Sequence, residues 1–119
     1  MTEYLVITTS VDLLRVMSDD LVFITSDGNY STLNMCFGQP RMVTIQLGQL
    51  EKLIYNQLQR TGSNFIRIGK SLIVNREHIH YINIPKQQLI MKKGTELATL
   101  TASREALRQL KDLIGGERK

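Results

Sequence analysis

The stretch Asn64-Phe65-Ile66-Arg67-Ile68-Gly69-Lys70-Ser71-Leu72-Ile73-Val74-Asn75-Arg76-Glu77-His78-Ile79 decides how this chain is read. Two short runs rich in aromatic and β-branched residues, Phe65–Ile68 and Leu72–Val74, flank Gly69-Lys70-Ser71. Such runs fit a pleated, half-buried surface, and a glycine between them punctuates two strands. Gly69-Lys70-Ser71 also matches the tail of a phosphate-binding P-loop. That motif needs a glycine where Asn64 stands, and Gly62 comes two residues too early, so a nucleoside triphosphatase is excluded.

Working upstream, Leu50, Leu53, Ile54 and Leu58 recur at helical spacing and predict one amphipathic helix, with Gly62 as its C-terminal stop. Before it the chain reads as short strands: Tyr4–Thr8, Leu21–Thr25, Tyr30–Phe37 and Met42–Ile45. Leu21–Ile24 is unbroken apolar sequence, the mark of a strand covered on both faces. Ser26-Asp27-Gly28-Asn29 supplies turn chemistry, and from Tyr30 the pattern alternates, with Leu33, Met35 and Phe37 expected on the buried face. Residues 11–16 fit a strand or a helical turn equally well. Downstream, Ile79–Ile84, Leu89–Lys92 and Glu96–Leu100 form a predicted meander, broken at Pro85-Lys86-Gln87 and Lys93-Gly94-Thr95. A second helix follows, with Ser103 as N-cap, Glu105 in its first turn, and Leu107, Leu110 and Ile114 as its buried stripe. The expectation is a mainly β fold of short antiparallel strands in small sheets, with one central and one C-terminal helix. All 119 residues are expected to form one domain, 115–119 being a flexible tail.

Composition bounds the function. The chain is 42% hydrophobic and 22% charged, an ordinary globular mix. No apolar run exceeds four residues, too short for a membrane span or a secretory signal, so membrane insertion is not expected and the location is expected to be cytoplasmic. The single cysteine, Cys36, forms no internal disulfide and reads as a small packed hydrophobe. The net charge of +4 is unevenly shared: residues 1–59 sum to −3 and residues 60–119 to +7. A basic half on a chain of pI 9.4 is a footprint suited to phosphate.

Catalytic and metal chemistry find little support. His78 and His80 would share a face if both lay on one strand, but two nitrogens are too few for a structural zinc site. No nucleophile elbow occurs, and Cys36 is remote in sequence from both histidines. Neither an enzyme, a cofactor nor a metal is expected.

The segment from Asn64 to Ile79 resembles the signature of the LytTR family of bacterial DNA-binding domains. That pattern runs aromatic, any residue, Arg, any residue, His, a polar or basic residue, Ser, an apolar pair, Val, Asn and, four positions on, Ile. Phe23-Ile24-Thr25-Ser26-Asp27-Gly28-Asn29-Tyr30-Ser31 is similar to the family's other hallmark, an aliphatic strand followed by a polar turn and an aromatic. The resemblance covers roughly residues 5–114. It implies an elongated β fold that reads DNA through loops placed in successive major grooves, commonly over direct repeats. Such domains usually serve as response-regulator output modules. Carried over residue by residue, it implies DNA contacts from Asn29, Tyr30 and Ser31, from Arg67, Lys70 and Ser71, and from Arg104 and Arg108. Gly69 departs from the pattern, since many relatives carry histidine there; it offers only backbone.

The residue chemistry runs the same way. Arg67 and Lys70 are long cations beside a hydroxyl donor, suited to phosphates and guanine edges. Arg104 starts a predicted helix, where free N–H groups favour phosphate, and Asn29 can pair bidentately with adenine. Each has a plainer reading. Arg67 alternates with Ile66 and Ile68 and fits a solvated strand face; Asn29 fits a turn that needs positive φ. Tyr30 fits strand packing, Ser71 a bond to its own loop, and Arg104 and Arg108 a helix surface. Asn75 reads as structural, tying a strand end to the next segment.

The expectation is therefore a transcriptional regulator that binds double-stranded DNA by sequence, as a homodimer on direct repeats. The alternative is a protein-interaction module on the same scaffold. No receiver domain fits within 119 residues, so control is expected from expression level, dimerisation or a partner protein, which some relatives keep in the membrane.

Overall fold

Leu21–Ile24 lies at the centre of the molecule, and all four side chains are buried. The computed structural model describes residues 2–115; of the expected tail 115–119, Gly115 belongs to the C-terminal helix and the rest lies outside the described residues. Ten strands and two helices are described: β1 Tyr4–Thr8, β2 Leu13–Met17, β3 Leu21–Asp27, β4 Tyr30–Met35, β5 Arg41–Val43, α1 Leu47–Gln57, β6 Phe65–Ile68, β7 Leu72–Asn75, β8 Ile79–Asn83, β9 Gln88–Lys93, β10 Glu96–Thr101 and α2 Arg104–Gly115. Residues 13–16 of the undecided 11–16 region thus fall in a strand, β2, paired antiparallel with β1.

A five-stranded sheet in the order β5-β4-β3-β7-β6 is the middle layer. On one side, Leu21, Ile24, Leu33 and Ile73 pack with the β1–β2 hairpin (Leu5, Ile7, Val16) and with Leu50 and Ile54 of α1. On the other, Val22, Phe23, Leu72 and Val74 pack with Leu89 and Met91 of the β8-β9-β10 meander and with Leu107 and Leu110 of α2. The unbroken apolar run of β3 therefore serves two cores. A β-bulge between Leu21 and Phe23 achieves this, because Leu21 opposes Met35 while Phe23 opposes Asn34. Val22 and Phe23 then both enter the second core.

The end of β4 corrects one expectation. Phe37 is 74% exposed, not part of a buried stripe. Strand β4 ends at Met35, and Cys36 donates its N–H to the Asp20 carbonyl at 2.8 Å, so the alternation stops there. Helix α1 stops at Gln57 rather than running on to Gly62, which starts a short 3-10 turn. Ser103 caps α2 as expected, its hydroxyl accepting the Ala106 N–H at 3.1 Å. Asn75 is buried: it donates to the Leu21 carbonyl at 2.9 Å and accepts from the Glu77 N–H at 3.0 Å, so both its amide groups have partners.

Candidate nucleic-acid interface

Two hairpin turns meet at one end of the central sheet. Strands β3 and β4 are joined by Gly28-Asn29, and β6 and β7 by Gly69-Lys70-Ser71. Because β3 and β7 are antiparallel neighbours, with Thr25 opposite Leu72, the two turns emerge side by side. The Ser26 N–H donates to the Ser71 carbonyl at 2.9 Å and fastens one to the other. Gly28 and Gly69 carry φ values of 64° and 62°, a left-handed conformation that costs a side-chain-bearing residue energy. Gly69, the departure from the family pattern, thus has a backbone reason. Asn29 does not share that conformation, so positive φ does not explain it.

The side chains at this end divide clearly. Asn29, Tyr30, Lys70 and Ser71 are exposed. The Asn29 Oδ1 accepts from Gln46 Nε2 at 2.8 Å, which sets the turn against the residue that precedes α1. The Lys70 ammonium and the Ser71 hydroxyl engage no partner among the described residues, leaving both for an outside acceptor. Ser31 is a correction. It is fully buried, and its hydroxyl donates to the Ile45 carbonyl at 2.6 Å, so it holds the segment entering α1 instead of facing outward.

Arg67 is held within its own turn. Its side chain is neither extended along the strand face nor directed away from the protein. It folds back on its own turn: Nε donates to the Gly69 carbonyl at 2.9 Å and Nη2 to the Lys70 carbonyl at 3.2 Å. Nη1 pairs with Glu51 Oε1 of α1 at 2.9 Å. Three of the five N–H donors of a guanidinium are thereby used.

Arg104 opens α2, as the sequence predicts, and its Nη2 donates to the Pro85 carbonyl at 3.2 Å in the turn between β8 and β9. Arg108 is exposed one turn on. Helix α2 runs beside the β6–β7 hairpin: Ala106, Gln109 and Leu113 share a cleft with Ile66, Ile68 and Gly69. His78 and His80 do not share a strand face. His78 lies in the turn before β8, its Nε2 bonded to the Asp19 carbonyl at 2.6 Å. Among the described residues no group of acidic, histidine and cysteine side chains could hold a metal, and no helix is long and apolar enough to cross a membrane.

The sequence model of the LytTr DNA-binding domain matches residues 12–115. The chain belongs to the LytTR family. Its fold is that of a solved structure described as the LytTr DNA-binding domain of a methyl-accepting/DNA response regulator from Bacillus cereus. The two are 17% identical, with a TM-score of 0.64 over 95% of this chain and 97% of that one. No curated protein matches the sequence. Within this LytTR fold, each sequence hallmark contains one of the paired turns, so folding brings together two segments some forty residues apart. Gln46 and Glu51 were missed in the sequence. Each is a polar residue on or beside α1, and only folding shows that one meets Asn29 and the other Arg67.

Proposed function

We propose that this protein is a bacterial transcriptional regulator that binds double-stranded DNA by sequence, in the cytoplasm, with the paired turns of the central sheet in the major groove. Asn29 and Lys70 read base edges, Tyr30 and Ser71 contact the adjacent backbone or bases, and Arg104 and Arg108 at the start of α2 add phosphate contacts. Two copies on a direct repeat would place such turns in successive grooves, and a partner protein would supply control.

One observation carries the reading: the turns are locked side by side, with an unengaged ammonium and hydroxyl beside a buttressed asparagine. An amide and a long cation on rigid supports are the groups that read adenine and guanine edges in the major groove. Selection of binding sites from random duplex DNA tests this. The recovered duplex and a scrambled control are then titrated at two salt concentrations. A directly repeated motif bound well above the control is the expected result, with a log–log salt slope of about −0.9 per phosphate neutralised. Weak binding to both duplexes and no motif would overturn the reading in favour of a protein-interaction module.

A further inference from the structure

We infer that Glu51 and Arg67 form a brace that sets the position of Lys70 for DNA reading, Glu51 acting from α1 without touching the nucleic acid. The inference rests on the interface proposed above and adds residues that act through it.

Strand β6 is an edge of the central sheet, so no further strand supports its turn from outside. One guanidinium does so instead. Arg67 holds the carbonyls of both Gly69 and Lys70, the two residues whose peptide geometry aims the lysine. Its planar fork fixes direction as well as distance, which a lysine at that position would not. The fork needs an anchor of its own, and Glu51 provides it at 2.9 Å. The Glu51 side chain is about half exposed, so the pair adds little to global stability. Its substitution is therefore expected to leave the fold intact and to act on the turn.

This assignment opposes plain electrostatics. Glu51 is an anion beside a surface meant to meet phosphates, and Coulomb repulsion alone says that neutralising it tightens binding to any duplex. A brace says the reverse for the selected site.

The test compares wild type, Glu51→Gln, Lys70→Ala and the double variant on the selected duplex and its scrambled control. Expected is a roughly 3-fold to 10-fold loss for Glu51→Gln on the selected duplex, as neighbours in one hydrogen-bond network show, and no further loss once Lys70 is alanine. Arg67→Lys, which keeps the charge but not the fork, is expected to lose affinity similarly, and it serves if Glu51→Gln does not fold. Tighter binding of Glu51→Gln to both duplexes, or an equal loss in both backgrounds, would overturn the brace while leaving the interface standing. A Lys70→Ala protein that binds as wild type would instead overturn the interface, and the brace with it.

Discussion

The carboxylate of Glu3 and the hydroxyl of Thr61 lie 2.7 Å apart, joining the first strand's approach to the chain just beyond α1. The same carboxylate accepts the N–H groups of Thr61 and Arg60 at 2.8 and 3.0 Å. The Thr61 hydroxyl first, then these backbone donors, hold the Glu3 carboxyl below the usual glutamate range. A depressed folded-state value means the unfolded chain binds the proton more readily. The contribution is fully present above the ordinary glutamate pKa and is lost as pH falls through the lowered one. Melting of wild type and Glu3→Gln should differ most at neutral pH and converge in acid. A difference that does not change with pH would refute the assignment.

Ser31 and Tyr30 are adjacent but should behave oppositely. Ser31→Ala leaves the Ile45 carbonyl without its buried donor and should cost about 1–3 kcal/mol of stability, read as a lowered denaturation midpoint. The folded protein should bind DNA as before. Tyr30 is exposed, so Tyr30→Ala should change stability by no more than about 0.5 kcal/mol while weakening DNA binding.

Lys70→Ala and Arg104→Ala separate base reading from backbone contact. A residue that reads a base should cost about 1–3 kcal/mol on the selected duplex and relax preference at one position. A residue on phosphate should weaken binding evenly across sequences and flatten the salt slope by roughly one phosphate's share. Lys70 is expected to follow the first pattern and Arg104 the second, because its guanidinium is already turned toward Pro85.

Cys36 should be a slow thiol. Burial pushes its pKa up, and its side chain packs against the second core. Since the thiolate is the nucleophile, alkylation at neutral pH should be far slower in the native protein than in denaturant. Equal rates would place the thiol outside that packing.

The sequence exposed the strands well because their order depends on local alternation and on turn residues that break it. Tyr4–Thr8 and Phe65–Ile68 coincide with β1 and β6 to the residue, and the meander reads as three antiparallel strands. Phe37 was misplaced because β4 ends at Met35, where the Cys36 N–H turns to the Asp20 carbonyl, and the alternation in the sequence carries no mark of that end. The site was legible at its turns and not in its supports. Ser31 looks like any polar strand residue until Ile45 approaches it, and Arg67 looks solvated until Glu51, sixteen positions earlier, is brought alongside. Contacts of that kind are tertiary, and no periodicity encodes them.

Strand β3 contributes to both hydrophobic clusters at once, through the bulge that sends Val22 and Phe23 one way and Leu21 and Ile24 the other. Opening either face uncovers the shared strand, which couples the stability of the two halves. The two turns that project from this sheet thus inherit its cooperativity. The β3–β4 turn leaves the shared strand directly, and the β6–β7 turn is tied to it through β7.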